Sequence, residues 1–311
     1  MSPVDGDDGQ PPAKQTLREG PDRPIIPSPA TRPTMQRSRG HAAIALADDG
    51  AFGRLARLHQ SGCLKLRLPR VPADRPREAV LINTAGGLTG GDRLTVEAHA
   101  GDGARLMLAT QTAERLYRST HGEARIDVSL SVGAGARLAW LPQETIAFEG
   151  SALRRSLEVD LAPDASFLAV ETLALGRLAM GERLTRATIR DDWRVRVGGC
   201  LVHAEALRLG PEIGRWIARA SVLGRRAAMA TVLHIGPDAA DHVGRLREVV
   251  GKDGALDTYS DGRLIARLVA ADAYALRRRL VPLLAHLNDV AMGLGCGANG
   301  HGTALPAVWS L

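Results

Sequence analysis

Apolar and polar positions alternate along most of this chain. Leu64-Lys65-Leu66-Arg67-Leu68, Arg93-Leu94-Thr95-Val96-Glu97 and Ala124-Arg125-Ile126-Asp127-Val128-Ser129-Leu130 all repeat with a period of two. That spacing sets one face of a strand on a core and the other in water. The alternation runs from about Gly40 to Gly236, broken by turn formers such as Gly101-Asp102-Gly103, Gly133-Ala134-Gly135, Pro163-Asp164 and Gly198-Gly199. It predicts a long succession of half-buried strands. Helical spacing appears only later: Val243, Leu246, Val249 and Val250 share one face, as do Leu276, Leu280, Leu283, Leu284 and Leu287 after Asp272. Pro282 is expected to kink or shorten that second helix.

The strand region also repeats itself. Gly103 opens GARLMLATQTAERLYRS, Gly135 opens GARLAWLPQETIAFEGS thirty-two residues later, and a looser copy, DASFLAVETLALGRLAMGE, starts at Asp164. A fixed offset points to stacked supersecondary units. The expected fold is mostly β: an elongated, β-helical or solenoid-like body of many short strands, with about two α-helices near the C-terminal end. A β-sandwich is the plainer alternative.

Composition narrows the class. The chain has 311 residues, 45% of them apolar, and no apolar run approaches the roughly 18 to 20 residues that cross a bilayer. Eight of the 17 prolines fall between Pro3 and Pro33, so residues 1 to 38 are expected to be a disordered tail ahead of one domain over 39 to 311. That tail has no hydrophobic segment of signal-peptide type. Three separated cysteines (Cys63, Cys200, Cys296) suggest neither a disulfide framework nor a zinc knuckle, and fit a cytoplasmic protein with reduced thiols. The formal charge of +6 comes from arginines spread through the strands, with three Phe and three Tyr for stacking, which argues against nucleic acid as a partner.

The glycine motifs do not carry nucleotide chemistry. In LINTAGGLTGGDRL (residues 81 to 94) the second glycine pair is followed by Asp92-Arg93 where a phosphate loop needs Lys-Ser, and a strand pattern follows where a helix should begin. The GxGxxG at Gly295, Gly297 and Gly300 comes after a helix with no room for a βαβ unit. GxSxG and HExxH are absent, and Cys296 with His301 would make only a two-ligand site. What remains is a set of charges punctuating apolar β segments: Asp92, Arg115, Arg118, Glu144, Glu171, Arg177 and Glu182. Singly, each reads as a salt bridge or a solvated group. Spread over successive units, they could line a polar channel.

AGGLTGGDRL at 85 to 94, ATQTAERLYRS at 109 to 119, LAWLPQETIAFEGS at 138 to 151 and ETLALGRLAMGE at 171 to 182, in this order, resemble the UreD (UreH) family of urease accessory proteins. RLVAADAYALRRRL and Pro306-Ala307-Val308-Trp309 match more loosely, so the resemblance runs from about Gly40 to Leu311. It implies a β-helical body with a pair of helices and no catalysis of its own. It further implies a scaffold that docks on urease apoprotein and, with UreF and the GTPase UreG, delivers nickel to the urease active site. An internal water-filled passage is the mechanism proposed for the family. No cofactor would be held permanently, with nickel only in transit. By position within the motifs, the resemblance points to Asp92, Glu144 and Glu182, and more weakly to Glu171, as residues of that passage. Such a path needs oxygen donors that release a divalent cation, rather than a closed ligand set. The chain departs from the family at Arg115, where lysine is common, and at Ala307, where arginine is common.

The other class left open is a β-solenoid glycosidase or carbohydrate-binding protein, with paired acids on neighbouring coils. An aromatic content of 3% offers such a protein few sugar platforms.

Overall fold

The computed structural model describes residues 36–72, 74–259, 262–294 and 305–309. The expected disordered tail, the Gly295–Gly300 motif, Cys296 and His301 lie outside them, apart from the tail's last three residues. The described chain forms seventeen strands: β1 (Arg39–Ala47), β2 (Arg54–Gly62), β3 (Leu64–Arg67), β4 (Arg77–Asn83), β5 (Arg93–Ala100), β6 (Arg105–Gln111), β7 (Glu114–Leu116), β8 (Ala124–Val132), β9 (Arg137–Leu141), β10 (Thr145–Ala147), β11 (Ser151–Leu161), β12 (Ser166–Leu175), β13 (Ala187–Val197), β14 (Cys200–Leu209), β15 (Ala228–Ile235), β16 (Gly254–Tyr259) and β17 (Arg263–Ala270). Its helices are α1 (Ile213–Ile217), α2 (Val243–Val250) and α3 (Ala273–Met292). The two C-terminal helices match the helical spacing, and α1 is an additional five-residue turn of helix. None of the described helices is long and apolar enough to cross a membrane.

Two sheets carry the fold. In the first, β1, β5, β8, β11 and β13 run parallel, and the antiparallel strands β2 and β14 close its two ends. In the second, β4, β6, β9 and β12 run parallel, with β3 antiparallel at one end and β15, β17 and β16 antiparallel at the other. From β4 to β13 the chain crosses from one sheet to the other and back, so each circuit lays a strand on both. This is the solenoid-like winding expected from the repeat, its two faces packed as a sandwich would be.

The repeat explains the register. Arg105 of β6 lies beside Arg137 of β9, and Arg137 beside Ser166 of β12, so the three sequence copies stack as rungs. Their corners stack too: the Asp102 carboxylate accepts a hydrogen bond from the Ala134 amide of the next rung at 2.9 Å. The short strands β7 and β10 pair with each other on a third side of the coil. Part of the glycine segment joins them there, Leu88 donating to the Arg115 carbonyl and accepting from Tyr117 N, both at 2.8 Å. A Cβ on Gly87 would come within 2.4 Å of the Tyr117 ring, and one on Gly90 within 2.0 Å of Ser119 Oγ. Glycine is needed at both places because two segments touch.

β12 departs from alternation. Every residue of SFLAVETLAL is buried, because the first sheet covers one face and α3 covers the other. Phe167, Ala169, Leu173 and Leu175 join the core between the sheets, whereas Leu168 and Val170 join the core beneath the helices. Helix α3 begins where Asp272 accepts from Ala275 N at 2.7 Å and ends at Gly293 in the left-handed conformation. It runs twenty residues through Pro282 without being shortened. Pro282 is exposed, while Leu280, Leu283, Leu284 and Leu287 hold the opposite face on the sheet. At its C-terminus, Arg105 Nη1 donates to the Met292 carbonyl at 2.8 Å and Arg137 Nη1 to the Ala291 carbonyl at 3.0 Å. Equivalent arginines of two successive rungs thus satisfy carbonyls that have no partner within the helix.

Candidate functional site

Strand alternation places one arginine where a leucine would serve packing. On β11 the inward row runs Leu153, Arg155, Leu157, Val159, all buried. Its parallel neighbour β13 presents Ile189, Asp191 and Trp193 inward, with Asp191 in register beside Arg155. Arg155 Nη2 meets Asp191 Oδ2 at 2.6 Å. From the facing sheet, Glu171 of β12 reaches across to pair with Arg155 Nη1, and Trp140 Nε1 donates to Glu171 Oε1 at 3.1 Å. The Arg155, Glu171 and Asp191 side chains are only 7%, 5% and 7% exposed.

Two carboxylates share one guanidinium here, away from water. With all three ionised, the cluster carries one uncompensated negative charge, which a low-dielectric interior resists. Burial raises the Glu171 carboxyl to about 7; Arg155 opposes that rise and the Asp191 charge adds to it. Burial pulls Arg155 down, but Asp191 and Glu171 outweigh it, so the guanidinium stays charged. Near neutral pH Glu171 is therefore the member of the cluster that gains or loses a proton.

Space lies on both sides of it. A cavity of about 170 Å³ extends from Arg155 and Glu171 past Thr145, Trp140 and Thr110 to Glu114 and Asn83. A second, of about 140 Å³, extends from the same Arg155 and Glu171 past Asp191 to Glu205, Thr231 and Arg267. The charged cluster is therefore the partition between two cavities. At the far end of the first, Asn83 Nδ2 donates to both Glu114 oxygens at 3.1 Å. Burial lifts the Glu114 carboxyl to about 7, Asn83 moderating the rise and the Asp92 charge adding to it.

A family model for the UreD urease accessory protein matches residues 38–299. The chain belongs to the UreD family of urease accessory proteins. Curated relatives agree. Urease accessory protein UreD 1 of Brucella melitensis is 44% identical over 281 residues, covering 89% of this chain and 96% of the relative. Urease accessory protein UreD of Mesorhizobium japonicum is 46% identical over 282 residues, 90% and 96% of the two chains. The Rhizobium leguminosarum protein of the same name is 44% identical over 283 residues, 91% and 98%.

Within this UreD-family body, the four carboxylates singled out by the motifs occupy different surroundings. Glu171 stands in the partition. Asp92 is buried, its oxygens accepting from Ser38 N at 2.7 Å and Thr89 N at 2.8 Å, so it ties the glycine segment to the start of β1. Glu144 gives its backbone carbonyl to Glu114 N at 2.9 Å, and its carboxylate stands 3.6 Å from Arg277 of α3. Arg277 also donates to Gln143 Oε1 at 2.7 Å and to the Val308 carbonyl at 3.0 Å, with Trp309 beneath its guanidinium. Glu182 is gripped by Arg177 through Nε at 2.8 Å and Nη2 at 3.1 Å, which holds its carboxyl below the usual range. Of the arginines singled out with them, Arg115 borders the first cavity and Arg118 is exposed.

Arg155, Asp191, Glu114 and Glu205 escaped the sequence reading. The signal for the first two was phase rather than charge: in SALRRSLEVDL and ATIRDDWRVRV they fall on the inward parity of their strands. Among the described residues no three His, Cys, Asp or Glu side chains converge as a metal-holding group. The cavities offer carboxylates, hydroxyls and the side-chain amides of Asn83, Gln111 and Gln143 at intervals, a set of oxygen donors that does not close into one ligand sphere.

Proposed function

We propose that this protein is a non-catalytic maturation scaffold that docks on urease apoprotein. With UreF-like and UreG-like partners, it enables GTP-dependent insertion of nickel in the cytoplasm. Nickel is cargo, handed along an interior polar path rather than stored. The observation that carries the reading is the pair of cavities joined at Arg155 and Glu171. Glu114, Glu171, Asp191 and Glu205 supply oxygen donors along this line. A divalent cation entering the partition would neutralise the surplus negative charge and displace the Glu171 proton, while Arg155 sets an electrostatic barrier that prevents tight retention. Asp92, whose charge is felt at Glu114, would act at that end of the path. Glu144 and Glu182 remain passage candidates by their place in the motifs. Family membership favours this reading over a carbohydrate-binding solenoid.

The test is urease activation at limiting nickel in cells supplying either the wild-type chain or Glu171→Gln. The variant should co-purify with urease apoprotein and the partners as the wild type does, yet leave urease with severalfold less nickel. Full nickel loading by Glu171→Gln together with Glu114→Gln would remove the interior path from the proposal.

A further inference from the structure

A groove of about 390 Å³ opens between the loop that follows β12 and the segment around α1. Its floor is apolar: Leu175 and Leu184 are buried there, and Ile217 and Ala218 form one wall. Its rim is basic, formed by Arg183, Arg215 and Arg225. Arg215 pairs with Glu212 at 2.9 Å, but among the described residues neither Arg183 nor Arg225 has a carboxylate within ion-pair distance. Close by, Met180 is 76% exposed and Trp216 is 48% exposed.

Arg225 adds an independent sign. Its φ is 65°, left-handed backbone that is unfavourable for a residue bearing a side chain. The turn is held by Arg225 N donating to the Ile217 carbonyl at 3.0 Å and Gly224 N to the Arg219 carbonyl at 2.9 Å. Glycine would relieve the conformation. The arginine at this position places an additional cation on the rim of an apolar groove, and such strain gathers where a surface is used.

We infer that this groove receives an acidic segment of a partner protein, one apolar side chain entering the floor while flanking carboxylates meet Arg183 and Arg225. The apolar floor disfavours a free phosphate or a nucleic-acid backbone, and the face of the nearby Trp216 ring is already covered by Arg219. Arginines around an apolar floor suit a partner that brings both carboxylates and an apolar side chain, and arginine is enriched among the residues that dominate binding energy at protein interfaces. The inference uses neither the interior cavities nor nickel.

Short random peptides displayed on phage, selected on the full-length chain, test it. Recovered sequences should pair acidic residues with a Leu, Ile or Phe, and their synthetic copies should bind less tightly as salt is added. Arg183→Glu with Arg225→Glu should weaken binding by about tenfold or more, roughly 1.4 kcal/mol. Ala218→Trp, which fills the groove without touching the charges, should weaken it as well. The charge-matched control Arg57→Glu with Arg70→Glu, both far along the sequence on exposed sites, should bind as the wild type does. All variants should keep the wild-type melting temperature. Selected peptides that lack acids, or that bind the Ala218→Trp and wild-type proteins equally, would overturn the docking assignment.

Discussion

The second sheet has two faces with different interiors. Toward α2 and α3 it is nearly dry: Leu168, Val170, Val232 and Leu264 meet Leu276, Leu280, Leu283 and Leu284. The two fully buried polar side chains there are neutral, His234 reaching the Phe167 carbonyl at 3.0 Å and Asn288 reaching Met107 Sδ at 3.5 Å, and the Arg277–Glu144 pair lies at the margin. Toward the first sheet, similar leucines surround Arg155, Glu171 and Asp191 and two cavities. Both faces belong to the same strands, so neither winding nor burial requires charge. Packing is solved without fully buried ions on one side, and the buried ions on the other side point to a use beyond stability.

The sharpest way to break this contrast is Arg155→Ala. It leaves two buried carboxylates unpaired and should cost about 3 to 5 kcal/mol in urea unfolding. Its counterpart, Arg155→Met with Glu171→Leu and Asp191→Leu, should be neutral or more stable, making the seam as dry as the helix side. A triple variant as unstable as Arg155→Ala would show that the ions hold the fold. On the dry side, Leu284→Ala should cost about 3 kcal/mol by opening a cavity, with no change in the nickel content of urease matured alongside it at temperatures where the protein stays folded.

Acidity separates the two faces by sign. Glu114 and Glu171 sit near 7 in the fold against about 4.5 unfolded, so their stabilising, protonated contribution is full below 4.5 and is lost as pH rises to 7. Burial holds His234 near 4 against 6.5 unfolded, so its contribution is full above 6.5 and is lost as pH falls toward 4. Glu114→Gln should therefore raise the unfolding free energy at pH 8 by roughly 2 kcal/mol and change it little at pH 4.5. His234→Gln should flatten the acid limb instead. The smallest effect belongs to the cap: Asp272→Ala should cost about 1 kcal/mol at neutral pH on either criterion.

Much of this was legible in the chain. Alternation gave the strands, the offset from Gly103 to Gly135 gave the rungs, and leucine spacing gave α2 and α3. β12 shows where the pattern fails: its alternation vanishes because both its faces are covered, a property of neighbours rather than of SFLAVETLAL. The candidate site was legible only at Glu171. Asp92 and Glu182 stand out in motifs, but the structure finds their carboxylates bonded to backbone amides and to Arg177. Arg155 and Asp191 are separated by 36 positions and only winding makes them neighbours, so no local pattern announces them.

Arg105 and Arg137 hold the end of α3 from equivalent points on adjoining rungs. The helix thus works as a gauge of circuit length: adding one residue at the Gly101–Gly103 corner would move one arginine off its carbonyl while leaving the other in place. On the opposite side, the exposed turn over Thr120–Gly122 touches no such reference. Insertions should therefore be tolerated there and rejected at the corner, which makes the molecule a thread whose pitch is inspected along one line only.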